Sequence, residues 1–189
     1  MEERVDWRMG HPGCIALEII GDNKNVIDWL NGTALVDASA YKPRVALLIQ
    51  ALAGSWDRNG LITKTASADW FRHVYCELNT KADELANLAM DQQCTSQWSR
   101  PKCYLRPFRL RGWFDGGRRN EQLRACGWVL QASFQQETEN CTWSSISWAN
   151  VLLRPRTSSV EAELTGAELV TAAAQKFIAH QLQSTVPQQ

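Results

Sequence analysis

The feature that most constrains this chain is a break in its periodicity at residues 92–107, Gln-Gln-Cys-Thr-Ser-Gln-Trp-Ser-Arg-Pro-Lys-Cys-Tyr-Leu-Arg-Pro. The stretch shows neither a helical nor a strand repeat and holds two prolines, so it reads as a linker. Before it, strand and helix patterns alternate. After it, strand patterns follow one another and a helix comes last. The first arrangement suits parallel strands with crossovers and the second an antiparallel meander, so the chain is expected to be α/β with a mixed sheet.

In the first half, Ile15–Ile20 is a short apolar strand followed by Gly21-Asp22-Asn23. A helix over Lys24–Asn31 has Asn23 as its N-cap and Gly32 just past its end. Pro43–Ala53 reads as a second helix that stops at Gly54, and its apolar run Val45-Ala-Leu-Leu-Ile predicts deep burial. Trp70–Cys76 reads as a strand. Thr80–Asp91 reads as a helix with the stripe Ala82, Leu85, Ala86, Ala89. In the second half, Arg109–Phe114 is a strand that Asp115-Gly116-Gly117 ends or bends. Arg124–Phe134 and Cys141–Leu153 are strands around a polar turn at Gln135–Asn140. Ser158-Ser-Val-Glu161 fits a capping box, opening a helix through Val160, Leu164, Ala167, Thr171, Ala174 and Ile178.

A length of 189 residues suits one domain and buries a core without help from disulfides or metal. No apolar run approaches the roughly 20 residues that cross a bilayer. The N-terminus has no secretory h-region, which predicts an intracellular protein of cytoplasm or nucleus. The six cysteines fall in no CxxC or CxxH pairing and are expected as reduced thiols rather than a disulfide framework or zinc site. The nine tryptophans are read as large core and rim residues.

Lys and Arg number 20 against 20 Asp and Glu, which argues against a purely electrostatic binder of nucleic acid. The zero is uneven along the chain. Residues 1–99 carry 9 basic and 13 acidic side chains (−4), residues 100–124 carry 8 and 2 (+6), and residues 125–189 carry 3 and 5 (−2). The central strip, from Arg100 to Arg124, is interleaved with Tyr104, Phe108, Trp113 and Phe114. It suits either a solvated linker and hairpin or a strip that contacts phosphates.

Four carboxylates stand in places that invite chemistry. Asp22 follows an apolar strand and precedes a helix, where open α/β sheets gather ligands. Asp115 precedes two glycines, an arrangement that leaves it exposed to something approaching the backbone closely. Glu163 shares helical spacing with Ala167, Val170 and Ala174, at the edge of an apolar face where a carboxylate needs a partner or a metal. Asp83 lies in the first turn of its helix, with His73 ten residues and Asn79 four residues earlier. Singly, each has a plainer reading as a turn or first-turn residue.

Together they carry a resemblance. Phe114-Asp115-Gly116-Gly117 looks like a first-strand Asp-Gly motif, and Ala125-Cys-Gly-Trp-Val-Leu130 like the second strand that follows it. Ser159-Val-Glu-Ala-Glu163-Leu164 resembles the opening of a first helix. Gly21-Asp22-Asn23-Lys-Asn-Val-Ile-Asp-Trp-Leu30 resembles a fourth-strand Asp motif with its helix. His73-Val-Tyr-Cys-Glu-Leu-Asn79-Thr-Lys-Ala-Asp83-Glu-Leu-Ala-Asn87 is similar to a closing His-x-x-x-Glu-x-Asn-x-x-Ala-Asp-x-Leu-Ala signature. These are motifs of the type 1 ribonuclease H family, above all its reverse-transcriptase-associated and plant-like forms. The last match is the most specific.

The order departs from the family's, because the last half comes first. Residues 14–91 resemble the second half of the fold and residues 108–182 the first half, with 92–107 as the linker. The chain reads as a single permuted domain over 1–189, with a five-stranded mixed sheet flanked by helices. The alternatives are a fragment spanning two tandem domains and a domain-swapped dimer in place of a monomer. A 16-residue linker spans at most roughly 50 Å, more than a small domain's width of about 30 Å, so geometry permits the permutant.

The resemblance implies Mg²⁺-dependent (or Mn²⁺-dependent) hydrolysis of the RNA strand of RNA–DNA hybrids by a two-metal mechanism. It implies that Asp115 bridges two ions, Glu163 and Asp22 hold one, and Asp83 holds the other. It further implies that His73 assists proton transfer or product release and that Asn79 meets a 2′-hydroxyl. Asn23, Arg118 and Arg119 are expected as further substrate contacts. A non-catalytic nucleic-acid-binding or scaffold domain with the same fold is the rival reading.

Overall fold

The computed structural model describes residues 15–59, 62–63, 70–100, 107–134 and 142–184, with the backbone alone considered at 53–59, 62–63 and 182–184. In chain order the elements are β1 (Ile15–Gly21), α1 (Lys24–Asn31), α2 (Lys42–Asn59), β2 (Ile62–Thr63) and β3 (Phe71–His73). A short 3₁₀ turn (Cys76–Leu78) leads to α3 (Thr80–Gln92) and β4 (Ser96–Ser99). Then come β5 (Arg109–Arg118), β6 (Arg124–Ser133), β7 (Ser144–Leu152) and α4 (Ser159–Ser184). Local chemistry sets several of these bounds. The Asn23 side chain accepts from the Val26 N–H at 3.3 Å, and Gly32 closes α1 in the left-handed region at φ 72°. Ser158 Oγ accepts from the Glu161 N–H at 3.0 Å and starts α4.

The fold is α/β, with one mixed sheet flanked by helices. Six strands run in the order β2-β1-β5-β6-β7-β4, and β3 also pairs with β1, for seven in all. β1 joins the two halves of the chain: it is parallel to β2 and β3 on one side and to β5 on the other. From β5 through β6, β7 and β4 every pairing is antiparallel. α4 lies on one face of the sheet and α3 on the other. On the α3 side the approach is so close that a Cβ on Gly127 would stand 2.2 Å from the Ala82 carbonyl oxygen. The main core lies under α4 and joins Leu17 and Ile19 to Leu110, Phe114, Leu130, Leu164 and Val170. Each such side chain contributes roughly 1.5–3 kcal/mol by leaving water.

Several expectations need correction. The sheet has seven strands rather than five. One of the two unforeseen strands, β4, falls inside the segment read as a linker. Ser96–Ser99 has no hydrophobic alternation because it is an exposed edge strand, ordered by pairing with β7 rather than by burial. The rest of that expected linker, 101–106, lies outside the described residues, as does the turn at 135–140. The strand expected over Trp70–Cys76 shrinks to Phe71–His73, and the Asp115-Gly-Gly segment does not end its strand, which continues to Arg118. The second helix passes through Gly54 to Asn59. Its apolar run is buried only at helical spacing, Val45 and Leu48 with Leu52 one turn on, while Leu47 is 65% exposed. Among the described cysteines, Cys76, Cys94 and Cys126 are free thiols.

Candidate metal centre

The register of β1 against β5 builds the site. Ile20 lies beside Trp113 on the parallel strand, so two residues further on Asp22, just past the end of β1, reaches the position beside Asp115. Glu163 comes from the first turns of α4, and Gly116 lets that helix descend onto β5. A Cβ at Gly116 would lie 2.4 Å from the Glu163 backbone nitrogen, so no other residue fits there without displacing α4. The close neighbour that the glycines of β5 admit is therefore the protein's own helix. Asp115 is 6% exposed and Glu163 5%. Carboxylate oxygens of Asp22, Asp115 and Glu163 all lie within 4.8 Å of one another, lining a cavity of about 580 Å³.

Burial in this cluster suppresses the ionisation of Asp115 and Glu163. Burial is the largest cause, and it lifts Glu163 to about 9, with Asp115 and Asp22 adding to the effect. Burial also lifts Asp115 to about 7, followed by the charges of Asp22 and Asp83. The Gly116 N–H opposes both shifts, and the Asn23 side chain opposes that of Glu163. Glu163 Oε2 is buried and meets no hydrogen-bond partner among the described residues. An orphaned oxygen beside two more carboxylates is a hard donor set that fits a divalent cation such as Mg²⁺ or Mn²⁺. The group could hold a metal ion through Asp22, Asp115 and Glu163.

The other expected residues are placed as follows. Asp83, exposed in the first turn of α3, lines the same cavity but stands outside the tight cluster, its Oδ1 accepting from Asn87 Nδ2 at 3.0 Å. Asn23 lines the cavity from the N-cap of α1. Arg118 and Arg119 are exposed on its rim, with Arg119 paired to Asp91. His73 is not in the lining. Its Nε2 lies 3.0 Å from the Asp22 backbone oxygen, which can only accept, so that nitrogen carries the proton. Asn79 is not brought to the open side of the cleft. It is 1% exposed, and its Nδ2 donates to the Phe114 carbonyl at 2.8 Å, tying the start of α3 to the strand that carries Asp115.

Not every residue of the site was foreseen. Cys76 lines the cavity and hydrogen-bonds Asp22, whose carboxylate pushes the thiol pKa up. Its only sequence signal was its place between His73 and Asn79. Gly116 was visible as part of a Gly-Gly pair, but its partner, α4, is some 47 positions away in sequence.

No family model matches the chain, and no curated protein matches it. Among the described residues no helix is long and apolar enough to cross a membrane.

Proposed function

We propose that this chain is a metal-dependent endoribonuclease of the ribonuclease H type, with the halves of its fold in permuted order, acting on the RNA strand of RNA–DNA hybrids. The observation that carries the reading is the convergence of Asp22, from the N-terminal half, with Asp115 and Glu163, from the C-terminal half, around an unpaired buried oxygen. A single permuted domain requires the Asp22 strand to lie parallel beside the Asp115 strand, and the β1–β5 pairing supports this. The motif order alone left that point open.

On this reading Asp22, Asp115 and Glu163 hold Mg²⁺, with Asp83 on the cavity wall serving a second ion. When bound there, such ions would activate the attacking water and stabilise the leaving 3′ oxygen. The protein contributes a rigid donor set. Asp115 is fixed by its strand and Glu163 by the Gly116 contact, so the oxygens need not reorganise when charge develops. Arg118 and Arg119 offer guanidinium groups to flanking phosphates, and the exposed Arg119–Asp91 pair is weak enough for a phosphate to displace. His73, with its Nε2 proton committed to the Asp22 carbonyl, offers Nδ1 as the proton-accepting atom.

The test is incubation of the full chain with a hybrid labelled on its RNA strand, with Mg²⁺ and with chelator. Cleavage that needs Mg²⁺ and disappears in Asp115→Asn is expected. Tight hybrid binding with no cleavage under any divalent ion would overturn the nuclease reading and favour a binding module.

A further inference from the structure

Among the described residues, the basic and aromatic side chains of the 100–124 strip do not gather as a unit around the carboxylates. Arg118 and Arg119 reach the cavity rim, Arg124 is buried with its Nε donating to the Thr157 carbonyl at 2.7 Å, and Arg111 and Trp113 lie further back along β5. Register identifies their neighbours. Trp113 pairs with Val129, Val129 with Trp148, and Trp148 with Trp98. Paired positions share a face of the sheet, so three tryptophans stand in one row across four strands. In the next row Arg111 pairs with Gln131, whose Oε1 accepts from Arg111 Nε at 2.7 Å and from Trp113 Nε1 at 3.0 Å. The Arg111 guanidinium stands 4.0 Å from the Trp143 ring centroid and 5.3 Å from that of Trp113.

This row is not a core. Trp98 is 40% exposed, and Trp113, Trp143, Trp148 and Arg111 are half-buried. α3 covers the same face one row nearer the carboxylates, where Gly127 pairs with Asp115. The paired positions from Trp113 to Trp98 include no carboxylate. The acid beside Arg111 in register, Glu18, is already paired with Arg72 at 2.6 Å. The surface thus combines several π-faces with a fixed guanidinium and no uncompensated negative charge.

We infer that this face of the sheet binds single-stranded nucleic acid, with Trp98, Trp148 and Trp113 stacking on bases and Arg111 facing the backbone. Flat rings reach a base only when it is unpaired, so the row selects single strands over duplexes and tolerates sequence. The positive balance complements phosphate. Rigid preparation is built in: hydrogen bonds to Gln131 and the Trp143 ring hold Arg111 and Trp113 before any ligand arrives, which lowers the ordering cost of binding. The surface is distinct from the carboxylate cavity and does not depend on the nuclease reading.

The experiment titrates the full chain with oligo(dT) in chelator, reading quenching of tryptophan fluorescence, beside a blunt duplex of equal length. Oligo(dT) is expected to bind more tightly than the duplex, and its affinity to fall as salt rises. Trp98→Ala, on the exposed edge strand, is expected to weaken oligo(dT) about tenfold with an unchanged circular dichroism spectrum. Asp115→Asn and Glu163→Gln are expected to bind it like the parent chain, so failure of the metal site and failure of this surface are separable. Equal affinity for duplex and single strand, or a folded Trp98→Ala with undiminished affinity, would overturn the inference. So would a Trp98-dependent dimer with no oligonucleotide affinity, which would assign the face to a second copy of the chain.

Discussion

A carboxylate that is 95% buried and has an unpaired oxygen makes the folded state prefer its protonated form. Glu163 is lifted from an ordinary 4.5 to about 9 and Asp115 from 3.8 to about 7, so between those values the folded chain binds more protons than the unfolded one. Stability from these groups is therefore full below the ordinary values and is lost as pH rises through the raised ones. In chelator, thermal unfolding is expected to move to lower temperature between about pH 4.5 and pH 9. Glu163→Gln is expected to flatten that slope, to unfold at higher temperature than the parent at the alkaline end, and to lose most of its Mg²⁺ affinity by calorimetry. At Gly116 and Gly117 the demands differ. A Cβ at Gly116 meets helix backbone, whereas one at Gly117 meets the mobile end of Met90 at 2.8 Å. Gly116→Ala is expected to cost about 1–3 kcal/mol in chemical denaturation and to abolish divalent-ion binding, with Gly117→Ala milder in both. At this scale the identities of Asp22, Asp115 and Glu163 were legible because each departs from the apolar pattern around it. The burial of Asn79 was not, since its partner carbonyl at Phe114 belongs to the other half of the chain.

Among the elements, those with local signals were read well and those without were missed. α1 carries its own cap and stop, and α4 its own Ser158 cap, so both begin where the side chains say. β4 has no such signal, because its hydrogen bonds come from β7 and its side chains remain largely exposed. α2 shows the limit of composition: five consecutive apolar residues looked uniformly buried, but a helix packed on one side buries only one stripe. Leu48→Ala is accordingly expected to cost about 2–5 kcal/mol in unfolding free energy. Leu47→Ala, one residue away, is expected to stay within about 0.5 kcal/mol of the parent. Equal costs would mean that the exposed side of α2 is covered by something else.

For the whole molecule, the decisive fact is that β1 and β5, from opposite sides of the linker, pair within one chain. Each site then contains Asp22 and Asp115 of the same molecule. On the nuclease reading, mixing Asp22→Asn with Asp115→Asn after joint refolding is expected to restore no hybrid cleavage. A swapped dimer would instead form one intact site in each mixed pair and recover activity.

The sequence by itself determined the α/β class, most element positions and the identities of the carboxylates. These are consequences of periodicity, capping and residue type, all of which act over a few neighbouring residues. Only the tertiary structure decided that Asp22 stands beside Asp115, that Glu163 is buried with an oxygen unpaired among the described residues, and that Arg118 and Arg119, Arg124, and Arg111 divide between cavity rim, interior and sheet face. Those outcomes depend on strand register and helix descent, which are set by packing between residues far apart in the chain. A local pattern names the residues that can act, and long-range pairing decides which of them meet.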